Sequence, residues 1–132
     1  MEINKELYDQ GLALRREVLG TDYVDASLSK AKNDPFLGAL QDAVTAYGWG
    51  AIWKRPDLDR KTRSMITVAM LIALNKHEEL ALHIRGAFNN GVSETELKEI
   101  MIHAGCYCGW PASVSAFRVA SMIREERAGK KA

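Results

Sequence analysis

The sequence predicts an all-α protein, a single-domain bundle of about six to seven helices that associates with copies of itself. Apolar residues recur at the spacing of a helix, and no segment of useful length alternates apolar and polar residues as a strand does. Helix-start and helix-stop signals occur between the predicted helices along the chain. The segment 65–74 is apolar on nearly every side, which predicts a helix buried all round and burial between subunits.

The first half of the chain contains three predicted helices. An apolar face repeats over about residues 3–19, and Gly20 is a natural stop. A shorter helix is predicted over 22–32. The Asn-Asp-Pro signal ending at Pro35 begins a third helix that runs to about Trp53. That helix carries one apolar face, made of Phe36, Leu40, Val44 and Tyr47. It ends in aromatic residues and glycines, and we expect an exposed aromatic patch near Trp49 and Trp53.

The second half is organised around the segment 63–91. After the apolar helix, a bend near Lys76 precedes an amphipathic helix. Gly91 ends this helix as a cap in a left-handed conformation. Ser93 and Glu96 form a capping box, the clearest local signal in the chain, and start a helix that runs through residue 108. A Gly-Trp-Pro break then leads into a last helix over about 112–127.

Composition excludes several classes of function. The 132 residues are 47% hydrophobic and 27% charged, as in ordinary globular domains, and we expect one domain over 1–132. The formal net charge is +1, so no strong field favours nucleic acid or anionic lipid as a partner. No apolar run is long enough to cross a bilayer, and the first residues lack a signal-peptide core. These features predict a cytoplasmic protein.

Glu79 and His83 are the first candidate catalytic residues. Their spacing of four places both on one helical face at the edge of the predicted core. His83 would exchange a proton near neutral pH while Glu79 orients the ring, although the same spacing also suits a simple surface pair. Arg63 and Arg85 flank the pair and could hold a substrate carboxylate.

Two other kinds of site are weaker predictions. A metal site would need His77 and His83 on one face, but they are six residues apart and point to nearly opposite faces. Cys106 and Cys108 could be a redox pair, yet they lie near a predicted helix C-terminus, where the dipole disfavours thiolate. We therefore expect two buried thiols that act as small apolar residues, and no metal.

Several runs resemble the carboxymuconolactone decarboxylase family, whose wider members include alkylhydroperoxidase-like proteins. These runs cover nearly the whole chain in order. The alkylhydroperoxidase-like members carry a C-x-x-C-x-x-x-H motif, whose positions here are Lys76, Glu79 and His83, so the histidine is kept and both cysteines are absent. The matching runs are Y-x-x-G-x-x-x-R-x-x-V-L-G (8–20), W-G-x-I-W-x-R-P-x-L (49–58), T-R-S-M-I-T-V-A-M-L-I-A-L (62–74), E-E-L-x-L-H-x-R (78–85), N-N-G-V (89–92) and Y-C-G-x-P-A (107–112).

The resemblance implies an alkylhydroperoxidase-like all-α fold and a cofactor-independent decarboxylation. The implied reaction converts 4-carboxymuconolactone to β-ketoadipate enol-lactone in protocatechuate breakdown, with no metal, and in a trimer or hexamer. His83 and Glu79 would manage the proton, Arg63 or Arg85 would hold a substrate carboxylate, and aromatic residues would wall the pocket: Trp49, Trp53, Tyr107. The alternatives are a relative acting on another lactone or carboxylate, a peroxidase or disulfide reductase using the two cysteines, and a non-catalytic oligomeric binding protein.

Overall fold

The computed structural model describes residues 2–131, which confirm the all-α prediction: they form seven α-helices and one π-helix, and no strand occurs among them. The helices group into two compact units, one up to Asp59 and one from Arg60 onward. The prediction of a single domain stays a prediction. None of the helices in this part of the chain combines the length and the apolar character that crossing a bilayer requires.

The first two helices of the N-terminal unit and the start of the third lie close to the predicted boundaries. Asn4 caps the first helix by accepting a hydrogen bond from the Leu7 amide, and Asp34 caps the third by accepting from the amides of Phe36 and Leu37. Gly20, at φ 93°, separates the first two helices as the sequence predicted. The elements are α1 (Lys5–Leu19), α2 (Thr21–Ala31), α3 (Pro35–Ala43) and a π-helix (Val44–Trp53).

The π-helix corrects the prediction that one helix runs from Pro35 to Trp53. Its glycines and small residues allow it to lie directly against α1. A Cβ atom added to Gly11 would overlap the carbonyl oxygen of Thr45, and one added to Gly50 would overlap the carbonyl oxygen of Leu7. Two backbones therefore meet with no side chain between them, a contact that only glycine permits at these positions.

The aromatic cluster is also placed differently from the prediction. Trp49 is only 4% exposed and stacks on Trp53, with ring centroids 4.6 Å apart, because the winding of the π-helix turns both indoles to the same side. The most exposed of the large apolar side chains described in this unit lies on α3, which buries no residue. Phe36 at its start is 86% exposed, and other large apolar side chains near it are exposed as well: Leu37, Leu40, Val44, Tyr47.

The C-terminal unit contains α4 (Arg60–Ala73), α5 (His77–Asn89), α6 (Glu94–Cys108) and α7 (Trp110–Lys131). Each of these helices contributes apolar residues to one core, which consists of Val68, Ile72, Leu80, Ile84, Ala87, Val92, Leu97, Met101, Ala104, Ala116, Val119, Ala120 and Ile123.

Helix α4 corrects the expectation of a helix buried all round. Only one stripe, Ser64, Val68 and Ile72, is buried. A helix of 3.6 residues per turn presents a single face to the neighbours within its own unit, so the apolar residues on its other faces remain accessible. Met70 and Leu74 are among them. Burial of these accessible apolar residues between subunits stays a prediction.

The predicted boundaries near Lys76, at Gly91 and at Ser93 are confirmed, whereas the last helix begins at Trp110 and ends at Lys131 instead of spanning about 112–127. Asn75 and Gly91 adopt left-handed conformations, at φ 56° and 88°, and separate α4 from α5 and α5 from α6. The Ser93 hydroxyl accepts from the Glu96 amide at 3.0 Å, and the Glu96 carboxylate accepts from the Ser93 amide at 3.0 Å. Gly109, at φ 96°, is the single residue between α6 and α7.

The backbone contact between α1 and the π-helix leads to a stability prediction. Gly11→Ala should lower the free energy of unfolding by about 1–3 kcal/mol, because the added methyl group overlaps a backbone oxygen that cannot move aside. Gly48→Ala is the matched control, since a Cβ atom there meets nothing within 4 Å. Urea unfolding followed by circular dichroism measures both variants, and equal midpoints would contradict the contact.

Candidate active site

His83 lies at the edge of the core of the C-terminal unit. Its helix, α5, begins at His77 and buries Leu80, Ile84 and Ala87 as one apolar stripe. The His83 ring stands beside this stripe, half-buried, and its Nδ1 atom is enclosed by protein. The apolar spacing of α5 therefore fixes where the imidazole sits and removes most of its contact with water.

Burial lowers the pKa of His83 from 6.5 to about 4, and the nearby charge of Glu79 opposes this shift only in part. The imidazole of the free protein is therefore neutral at pH 7, and the expectation that it exchanges a proton near neutral pH does not hold without a further negative charge nearby. A neutral imidazole can still donate one hydrogen bond and accept another.

Glu79 is exposed and acts on His83 through its charge. The two residues are one helical turn apart, but no hydrogen bond joins their side chains in the described structure. The carboxylate thus favours the protonated imidazole without fixing which nitrogen carries the hydrogen.

The two candidate arginines have different surroundings. Arg85 holds Glu126 of α7 with a two-pronged contact, Nε to Oε2 at 2.8 Å and Nη2 to Oε1 at 3.1 Å. The hydrogen bond from Arg85 lowers the pKa of the Glu126 carboxyl. Arg63 is half-buried on α4, where its carbonyl accepts a hydrogen bond from the Thr67 hydroxyl at 2.8 Å.

Tyr107 belongs to an apolar groove of about 990 Å³ between α4 and α6. It is 81% exposed, and its ring lies 5.1 Å from that of His103, one helical turn earlier. Cys106 and Cys108 line the same groove and are exposed, so the prediction of buried thiols was wrong. They lie in the last turn of α6, where the helix surface faces away from the core of the unit.

Two of the predicted site residues lie on one helical face, and Tyr107 lies in a groove. Glu79 and His83 share one face of α5, as predicted. The residues that line the groove around Tyr107 do not include these two, nor Arg63 or Arg85. Trp49 and Trp53 form a stacked pair within the N-terminal unit. In the described part of the chain, no group of three or more His, Cys, Asp or Glu side chains is arranged to hold a metal ion.

Sequence reasoning did not single out His103 as a groove residue. The signal was present as the i, i+4 spacing of His103 and Tyr107, which places two rings on one helical face. The apolar character of the facing positions on α4 could not by itself show that α6 lies opposite them.

The matches between this chain and known proteins cover most of its length and agree with one another. The model of the carboxymuconolactone decarboxylase family matches residues 38–122. The chain is 43% identical over 120 residues to 4-carboxymuconolactone decarboxylase of Acinetobacter baylyi, covering 91% of this chain and 88% of that protein. It is also 43% identical over 118 residues to nitrosuccinic acid decarboxylase of Metarhizium robertsii, covering 89% of this chain and 81% of that protein.

The pKa of His83 can be tested directly. In a ¹H–¹⁵N spectrum of the imidazole nitrogens, His83 should titrate with a midpoint near 4, because burial disfavours its charged form. Glu79→Gln should move the midpoint lower still, since the charge that favours the imidazolium is lost. The spectrum of His83→Gln assigns the resonance, and a midpoint near 6.5 in the wild type would rule out the buried environment.

Proposed function

The chain belongs to the carboxymuconolactone decarboxylase family and is a carboxy-lyase, and on that premise we propose that it decarboxylates 4-carboxymuconolactone to β-ketoadipate enol-lactone. The observation that carries the proposal is the 43% identity to a 4-carboxymuconolactone decarboxylase over 91% of the chain. Both relatives are named decarboxylases, which supports the class of reaction.

The substrate supplies its own electron sink. When its ring carboxylate leaves as carbon dioxide, the electrons of the broken carbon–carbon bond pass through the ring double bond to the lactone carbonyl. The product is a dienolate, delocalised around the ring, and one proton delivered to carbon completes the enol-lactone. The protein therefore has to bind carboxylates, stabilise an oxyanion and manage one proton, and no cofactor is needed.

His83 suits the oxyanion step. A neutral imidazole in a poorly hydrated site can donate a strong hydrogen bond to oxygen as negative charge develops on it. When a substrate bearing carboxylates binds, its negative charge would raise the pKa of His83 from the value of about 4 in the free protein. In this proposal, Glu79 adds to the same effect, so that a proton becomes available only when substrate is present.

Arg63 or Arg85 holds the substrate carboxylate in this proposal. The fork of Arg85 holds Glu126, so substrate would have to displace that carboxylate to use it. The assignment of Trp49, Trp53 and Tyr107 as apolar residues that wall the substrate pocket stays a prediction from the sequence. A less polar surrounding would destabilise the carboxylate that leaves and favour its loss.

The second relative supports an alternative substrate class. Nitrosuccinic acid carries two carboxyl groups and a nitro group, and a nitro group can accept the electrons of a departing carboxylate as a nitronate. Identity is 43% to both relatives, so the choice between lactone and nitro acid depends on turnover of each. The proposed site is the same for both substrates. In each reaction negative charge develops on an oxygen of the substrate, in the lactone carbonyl or in the nitro group, while a second carboxylate of the substrate stays bound.

We also propose that the protein works in protocatechuate breakdown in the cytoplasm, as a trimer or hexamer. The exposed apolar side chains of α3 and the apolar groove between α4 and α6 support self-association. Chemistry at Cys106 and Cys108 is a less favoured alternative, because both lie on α6 and α5 has no cysteine. Alkylation of both exposed thiols should spare decarboxylation.

Replacement of the proposed catalytic pair should separate their roles. His83→Ala should reduce kcat by about 100-fold or more, as for removal of a proton-transfer or oxyanion group. Glu79→Gln should lower kcat less, by about tenfold, because the charge that favours the imidazolium is lost while the ring itself remains. His77→Ala, an exposed histidine at the start of α5, is the matched control. Release of carbon dioxide from freshly prepared lactone measures all three, and a folded His83→Ala variant with wild-type turnover would remove His83 from the mechanism.

The two arginines are distinguished by KM. Replacing the arginine that holds the substrate carboxylate, by Arg63→Gln or Arg85→Gln, should raise KM by about 10- to 100-fold, because a charge-assisted hydrogen bond to substrate contributes about 1.5–3 kcal/mol. Glu126→Gln, which only releases Arg85 from its ion pair, should leave KM close to the wild-type value. An Arg85→Gln variant that raises KM while Arg63→Gln does not would place the carboxylate on Arg85.

A further inference from the structure

A small pocket lies within the C-terminal unit, where α7 passes the end of α5 and the start of α6. Its volume is about 320 Å³, which is in the range of small-molecule sites. Phe88, Val92 and Ala128 form apolar walls, and Arg124 and Arg127 bring two cations to the lining. None of the residues assigned above to the candidate active site lines this pocket.

Arg127 is held in place by an aromatic ring. Its guanidinium carbon lies 4.0 Å from the centre of the Phe88 ring, a cation–π contact that positions the planar group and covers one of its faces. The side chain is half-buried, and none of the ion pairs within residues 2–131 includes it. A guanidinium carries its N–H donors along its edges, so stacking on a ring leaves those edges able to bind a carboxylate.

The carboxylates closest to Arg127 are engaged by other cations. Glu94, which also lines the pocket, pairs with Arg124 Nε at 3.1 Å. Glu126, the neighbour of Arg127 in the chain, is held by the fork of Arg85. Two arginines against one glutamate give the lining a net charge of +1. One further negative charge would balance it.

The polar and apolar parts of the lining together indicate the class of ligand. Arg124 and Arg127 are donors, and the Ser93 hydroxyl, whose oxygen accepts from the Glu96 amide at 3.0 Å, still has a hydrogen to donate. The apolar walls beside these donors suit a ligand with an apolar remainder. Inorganic phosphate could use the donors but not the walls, so the lining favours an organic carboxylate with a single negative charge.

We propose that this pocket binds a small organic monocarboxylate. The carboxylate group pairs with the guanidinium edge of Arg127, and the apolar part of the ligand lies against Val92 and Ala128. The site consists of residues from α5, α6 and α7 that the proposed decarboxylation does not use. It can therefore exist whether or not that reaction is correct.

Benzoate serves as the probe on the full-length protein, with benzamide as the uncharged comparison at matched ionic strength. Isothermal calorimetry should detect saturable binding of benzoate and none of benzamide. Arg127→Gln should weaken benzoate binding by about tenfold or more, the loss expected for a charge-assisted contact.

Two further variants separate this site from a general effect of charge. Glu94→Gln removes the carboxylate that competes for the arginines, so it should tighten benzoate binding by about two- to fivefold. Arg118→Gln makes the same change in net charge as Arg127→Gln at an exposed position of α7 that does not line the pocket. It should change the affinity by less than about twofold.

Four results would overturn the proposal. Wild-type protein could bind benzoate no more tightly than benzamide, or it could bind inorganic phosphate and not benzoate. Arg127→Gln could bind benzoate as the wild type does, which would place benzoate elsewhere. Arg118→Gln could weaken binding as much as Arg127→Gln does. If Arg127→Gln does not fold, the Nε–H resonance of Arg127 in the wild type decides: a shift on adding benzoate supports the site, and an unchanged resonance contradicts it.

Discussion

The apolar stripe of α5 is the constraint on which the candidate chemistry depends. Leu80, Ile84 and Ala87 are buried among α4, α6 and α7, and this packing leaves His83 no freedom to move out into solvent with its helix. The same packing removes water from the ring and lowers its pKa to about 4. The packing that stabilises the C-terminal unit therefore also determines the protonation state of the imidazole.

A neutral histidine fits the decarboxylation proposed here better than a permanently charged one. A permanent imidazolium would stabilise the carboxylate of the bound substrate as well as the oxyanion formed later, and so would lower both energies together. A neutral imidazole can donate a hydrogen bond that strengthens as negative charge develops on the oxygen, so its interaction is larger in the transition state than with the bound substrate.

Most of the helix boundaries were predictable from local sequence signals, because helix caps and residues in a left-handed conformation act on only a few neighbouring positions. Asp34, Gly91 and the Ser93–Glu96 box each appear where the sequence places them. Features that depend on distant packing were not predictable. The π-helix requires contact with α1, the pKa of His83 requires the surrounding core, and Arg85 meets a partner 41 positions away in the chain. Apolar faces on α3 and α4 look alike in sequence whether or not their own unit covers them.

The wide winding of the π-helix has a consequence for how this segment can change in evolution. Each residue of a helix turns the chain by a fixed angle, so the loss or gain of one residue would rotate Trp53 away from Trp49 and displace the glycine that meets α1. Point substitutions at the outward positions leave that geometry intact. Between Val44 and Trp53, homologous chains should therefore differ in residue identity far more readily than in length.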